Sequence, residues 1–131
     1  MKIGGLHKFS LSDFPGLVAA VVFTQGCNFR CPWCHNGSLI PTNVPASSLI
    51  SEQKVFEFLK VRGRQLDGVV ITGGEPTIQP DLSVFIHRII AMDLLVKLDT
   101  NGSRPEVLRR LLKERLISTF AILYNYAAWL R

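Results

Sequence analysis

Three cysteines, Cys27, Cys31 and Cys34, fall within eight residues in the string GCNFRCPWC. They are the chain's whole supply. An odd, clustered set argues for a metal and against a disulfide framework. A loop can curl three sulfurs around one inorganic core, which a helix or strand cannot. Two soft-metal readings follow. A structural zinc site wants four ligands, and His35 beside Cys34 could supply the fourth. Adjacent residues seldom turn to one ion, however, and structural zinc usually draws its ligands as two separated pairs. A [4Fe–4S] cube has four irons, so three thiolates leave one iron open to a small molecule. The plainer alternative is three free buried thiols, with His35 a hydrogen-bonding loop residue.

The flanking sequence must position this loop. Residues 17–24, LVAAVVFT, lead into the cysteines and are apolar and β-branched, a buried strand. Residues 51–62 predict a helix. Ser51 can cap it, Glu52 suits the positive end of its dipole, and Val55, Phe58 and Leu59 line one face. Gly63 is a stop signal. Residues 68–72, GVVIT, read as a second strand. A second helix over 81–91 places Leu82, Phe85, Ile86, Ile89 and Ile90 at helical spacing. Residues 94–99, LLVKLD, read as a third strand. Ser103, Arg104, Pro105 and Glu106 carry a capping-box pattern, and Val107, Leu108, Leu111 and Leu112 continue the apolar face. Residues 117–123 could add one more apolar strand, with Tyr124, Tyr126 and Trp129 then needing cover.

Alternation of strand and helix implies parallel strands joined by right-handed crossovers, an α/β fold. Ligands of such folds bind at the carboxyl ends of the strands. Each predicted strand runs straight into an unusual segment: GCNFRCPWC, then GGEP, then TNG. Parallel strands place all three segments on one rim.

The chain has 131 residues, enough for one domain with a core. Its hydrophobic fraction, 47%, is too high for disorder. An eight-unit barrel takes ~250 residues, so there is room for about four strand–helix units. The apolar charge-free stretches 14–29 and 116–130 fall short of a membrane span of ~20 apolar residues. The segment MKIGGLHKFS lacks the apolar run of a signal peptide, so the expected address is the cytoplasm. The net charge of +5 suits an acidic partner. Arg104, Arg109, Arg110, Lys113 and Arg115 form either a solvated helix face or a docking surface. No aromatic interleaving or motif for nucleic acid accompanies them.

The Cys27-x3-Cys31-x2-Cys34 loop resembles that of the radical S-adenosylmethionine (SAM) enzymes. With Asp13-Phe14-Pro15-Gly16 and VVFTQGCNFRCPWCHN, the longer string resembles the glycyl-radical-enzyme activating proteins of that superfamily. The nearest type is the activator of anaerobic ribonucleoside-triphosphate reductase, with pyruvate formate-lyase activating enzymes close by. The resemblance runs from residue 1 to about residue 115 and takes in GVVITGGEP and VKLDTNG.

The resemblance implies an incomplete parallel (β/α) barrel of three to four strands, a [4Fe–4S] cluster and SAM. Cys27, Cys31 and Cys34 would ligate three irons. The methionine amino and carboxylate groups of SAM would chelate the fourth. Gly73, Gly74, Glu75 and Pro76 match the motif that contacts the amino group. Glycines allow close backbone approach and a carboxylate can pair with an ammonium, although Gly and Pro also make plain turns. Trp33 matches an aromatic position near the adenine, or else it is a core tryptophan. Asp99 and Asn101 could reach the ribose or the methionyl carboxylate, or else belong to a turn. Reductive cleavage of SAM would then yield a deoxyadenosyl radical that takes a hydrogen atom from a glycine of the partner enzyme. The protein binds, orients and excludes water, so no side-chain acid, base or nucleophile is required. The implied partners are a glycyl-radical enzyme, the anaerobic ribonucleotide reductase first, and a low-potential electron donor such as flavodoxin or ferredoxin. Residues 116–131 depart from the family, which carries an Asp-Ile-Lys segment there. The family also usually has Pro where Gly37 stands. The expectation is a single radical SAM domain, 1–131, cut short, with 116–131 a divergent tail.

Overall fold

The computed structural model describes residues 1–123. Four strands are parallel: β2 (Ala19–Thr24), β3 (Gly68–Gly73), β4 (Leu95–Thr100) and β5 (Thr119–Ile122). An N-terminal strand, β1 (Ile3–Ser10), pairs antiparallel with β2. The sheet order is β1-β2-β3-β4-β5, so each element lies beside its predecessor.

β2 and β3 read as continuous apolar runs because both of their faces are covered. Ala20, Val22, Val69 and Ile71 point to the helix side, where they meet Val96 and Leu98 of β4. Ala19, Val21 and Val70 point the other way, against Phe14, Leu17 and Phe23. Three helices cover the first face: α1 (Glu52–Arg62), α2 (Leu82–Ile90) and α3 (Pro105–Lys113). The α/β reading holds, as one wall of a partial barrel. Among the described residues the parallel strands number four, within the expected three to four, and a fifth strand, β1, is added antiparallel. Nothing in IGGLHKFS announces β1, since two glycines and three polar residues lower strand propensity. It forms because β2 offers a free edge. Fully buried Ile3 anchors it, and irregular register after Ile3 and His7 lets an edge strand of poor pattern fit.

The helices sit within a residue or two of expectation, with local corrections. Ser51 caps α1 by accepting from the Lys54 amide at 3.3 Å. Phe56, not Phe58, is the buried aromatic of α1. It meets Phe85 of α2 edge-on at 5.1 Å, under the Arg88 guanidinium. Gly63 keeps right-handed helical angles and opens a 3₁₀ turn, so it does not stop α1 by a left-handed cap. Ile90 is exposed at the end of α2. The capping box at Ser103 does not form. Arg104 precedes the helix without a side-chain cap, and the Ser103 hydroxyl accepts from Asn28 instead. On α3 only Leu111 is fully buried, and the basic side chains Arg104, Arg109, Arg110, Lys113 and Arg115 all face solvent. β5 is shorter than the predicted 117–123, and Phe120, Ile122 and Leu123 remain exposed on its edge. Tyr124, Tyr126 and Trp129 lie outside the described residues.

Backbone-to-backbone packing joins the carboxyl ends of β2 and β3. The Gly74 amide donates to Thr24 O at 2.9 Å and the Glu75 amide to Gly26 O at 2.8 Å. A Cβ on Gly74 would stand 2.1 Å from Gly26 O, and Gly73 holds φ at +115°. Only glycine meets both demands.

Two outcomes follow from this packing. Phe85→Ala removes a fully buried ring and lowers unfolding free energy by about 3–5 kcal/mol. Val84→Ala, at an exposed neighbouring position, stays within about 0.5 kcal/mol in the same denaturant titration. Gly74→Ala forces backbone apart rather than a flexible side chain and costs about 1–3 kcal/mol. A Gly74→Ala midpoint equal to the parent's would show that the two loops are not in van der Waals contact.

Candidate functional site

The parallel register brings the three segments to one rim, around a hollow of about 400 Å³. Cys27, Cys31, Trp33, Cys34 and His35 line it from the loop after β2. Gly73 and Gly74 line it from the end of β3. Asp99 and Asn101 line it from the end of β4. Phe29, Asn36, Thr72, Thr100 and Leu123 complete the wall. None of the five was singled out as a site residue from sequence, although all but Leu123 lie within the quoted motif strings. Thr72 and Thr100 carry one readable sign, since each occupies the last strand positions before a motif.

The cysteine loop is held at both ends. The Gly26 and Cys27 amides donate to the carbonyls of Leu39 and Ile40 at 2.8 and 3.0 Å. The Cys34 amide donates to Cys31 O at 3.1 Å, closing a turn between these two residues. Cys27 and Cys31 are half-buried and Cys34 is exposed. The Phe29 amide donates to Cys27 Sγ at 3.3 Å, and Asn101 Nδ2 lies 3.9 Å from the same sulfur. Burial pushes the Cys27 thiol above its ordinary range. The Phe29 amide lowers it, and the negative charges of Glu75, Cys31 and Cys34 raise it further. An inorganic cation here would relieve both the burial and the mutual repulsion of three thiolates.

Among the described residues, no three His, Cys, Asp or Glu side chains close on a single metal-ion position. Three thiols on one wall of a hollow this size fit the cube by donor type and by room.

Trp33 is 72% exposed at the mouth of the hollow, so the core-tryptophan alternative falls. A ring in that position can stack on a flat ligand. Asp99 is buried and pairs with Lys97 at 2.6 Å, two residues back on the same face of β4. Burial raises its carboxyl above the usual range, Lys97 draws it back, and the Asp13 charge adds to the rise.

Glu75 and Pro76 depart from expectation. Both are buried and neither lines the hollow. Glu75 Oε1 accepts from the Thr77 amide at 3.0 Å, from the Thr77 hydroxyl, and from the Thr100 hydroxyl at 2.6 Å. Glu75 Oε2 accepts from the Asn101 amide at 2.7 Å. Every partner is a donor, the pattern an ionised carboxylate takes. The carboxylate turns inward because the chain's own donors surround it there, and its hydrogen bonds among the described residues are all made within the chain. Asn101 then continues outward, donating to Asn28 Oδ1 at 3.0 Å, while Asn28 donates to Ser103 Oγ at 2.8 Å. The cysteine loop, GGEP and TNG thus form one connected network.

Comparison with known proteins agrees with this geometry. The family model described as the radical SAM superfamily matches residues 21–122, past residue 115 and through β5. A protein from Methanocaldococcus jannaschii named as a glycyl-radical enzyme activating enzyme is 36% identical over 121 residues. That alignment covers 92% of this chain and 48% of the relative. A 7-carboxy-7-deazaguanine synthase from Aquifex aeolicus is 34% identical, covering 67% of this chain and 38% of its own length. The chain thus spans less than half the length of either relative. Among solved structures, QueE from Escherichia coli superposes with a TM-score of 0.64 at 23% identity, over 78% of this chain and 53% of that one. This likeness speaks for the fold alone. Members of the matched superfamily use a [4Fe–4S] cluster and SAM. With the family model matched over most of its length and the cysteine loop at the carboxyl ends of a parallel sheet, the chain belongs to the radical SAM superfamily.

Proposed function

We propose that the chain is the cluster-binding part of a glycyl-radical enzyme activating protein. The observation that carries this is the shared hollow, lined by three cysteines, the Gly73–Gly74 backbone and the Asp99–Asn101 segment. The similarity to the Methanocaldococcus protein over 92% of this chain supports the reaction class. The longer motif strings favour anaerobic ribonucleoside-triphosphate reductase as partner, with a flavodoxin or ferredoxin as electron donor.

In this reading Cys27, Cys31 and Cys34 hold three irons. The half-buried Cys27 and Cys31 anchor the cluster, and exposed Cys34 closes it from the solvent side. The Phe29 amide, already aimed at Cys27 Sγ, stabilises thiolate charge. Gly73 and Gly74 let the methionyl end of SAM approach backbone. Asn101 and the paired Asp99 face the sugar or carboxylate, and Trp33 offers a face to the adenine. When bound, the cluster supplies a low-potential electron and SAM supplies the hydrogen-atom abstractor. The chain's own part is to orient the two and keep water away.

Anaerobic reconstitution tests the reading against its two rivals. The expected result is iron and sulfide near four of each per chain, with deoxyadenosine and methionine released from SAM after reduction. A cluster that forms without SAM cleavage identifies a cluster-binding remnant, and stoichiometric zinc held with His35 identifies a small zinc module. Cys31→Ala abolishes the visible iron–sulfur absorbance, whereas His35→Ala keeps it. Full absorbance in Cys31→Ala would remove the ligand assignment.

A further inference from the structure

We propose that Glu75 is a positioning residue. Its buried carboxylate clamps the loop after β3 to the loop after β4 and so sets the part of the SAM site contributed by Asn101. The proposal rests on the SAM-binding reading above and adds how that site is held in shape.

Burying a carboxylate is costly unless its lone pairs are taken by donors. Glu75 is 0% exposed and has four donors, two from Thr77 on its own loop and two from Thr100 and Asn101. The clamp therefore joins positions about 25 residues apart in sequence. Hydrogen bonds to a charged group are roughly twice as strong as neutral ones. Among the described residues, oxygen Oε2 has one protein partner, the Asn101 backbone amide. That bond fixes the residue whose side chain reaches Asn28 and stands beside Cys27 Sγ. The Gly102 amide donates back to Thr100 Oγ1 at 3.1 Å, so the hydroxyl that Glu75 holds also shapes the following turn. Freeing Oε2 would loosen Asn101 while leaving the Thr77 side intact.

Glu75→Gln separates these ties. The amide oxygen can replace Oε1, but its NH₂ then faces the Asn101 amide, donor against donor. In the cluster-free protein, hydrogen exchange read by NMR should show the Asn101 amide exchanging at least about 10-fold faster, the loss of one charge-assisted bond. The Thr77 amide should stay within about 3-fold of the parent. In the reconstituted protein, Glu75→Gln should weaken SAM and a SAM analogue lacking the α-amino group by the same factor, about 10-fold. Cluster content should match the parent's. Weakening of SAM alone, with Asn101 exchange unchanged, would show a direct ammonium contact and overturn the clamp. Should Glu75→Gln fail to fold, Thr77→Val removes one donor outside the hollow. About 3-fold faster exchange at Asn101 then supports the clamp, and unchanged exchange overturns it. If the parent binds no SAM while Glu75→Gln still frees Asn101, the clamp stands and the SAM reading fails.

Discussion

A fully buried carboxylate surrounded by four donors is the constraint on which the rim depends. Glu75 cannot be solvated where it sits, so the chain must bring donors to it. Two of those donors belong to the end of β4, and bringing them there fixes the distance between the β3 and β4 loops. The backbone bonds of Gly74 and Glu75 to Thr24 and Gly26 fix the distance between the β2 and β3 loops. Three loops are thus tied by short polar contacts, and the hollow is the space they leave between them.

The parallel sheet makes this possible. Strands running the same way end on the same side, so their three carboxyl-terminal segments meet without further design. The register is close. Thr24 of β2 lies opposite Gly73 of β3, and β3 pairs with β4 through Ile71 and Leu98. Side chains that alternate along β4 place Lys97 and Asp99 on one face, so the acidic group at the hollow carries its own counter-charge. The helix-covered face supplies the bulk of the apolar burial. The opposite face carries a smaller apolar cluster of Phe14, Ala19, Val21 and Val70.

Much of the architecture was legible in local pattern. Runs such as AAVVFT and GVVITG announce buried parallel strands because both faces are apolar. Leu82, Phe85, Ile86 and Ile89 announce α2 because core contact recurs each turn. β1 was not legible, since its pairing depends on the free edge of β2 and not on its own residues. The choice of Phe56 over Phe58 was equally hidden. Both lie near the apolar side of α1, and only the approach of Phe85 from α2 decides between them. The Ser103 capping pattern failed for a related reason, as Asn28 from a distant loop claimed the hydroxyl.

The sequence alone determined which chemistry the chain can carry. Three thiols at three- and two-residue spacings, and glycine and asparagine motifs after successive strands, are properties of type and order, which survive any detail of packing. The tertiary structure alone decided what each motif residue does. It turned Glu75 inward and left Trp33 open at the mouth of the hollow. It also brought Asn101 close to Cys27 Sγ. Such assignments depend on partners drawn from residues 26, 75 and 100–103. No short window contains those partners, and only folding brings them within hydrogen-bond reach.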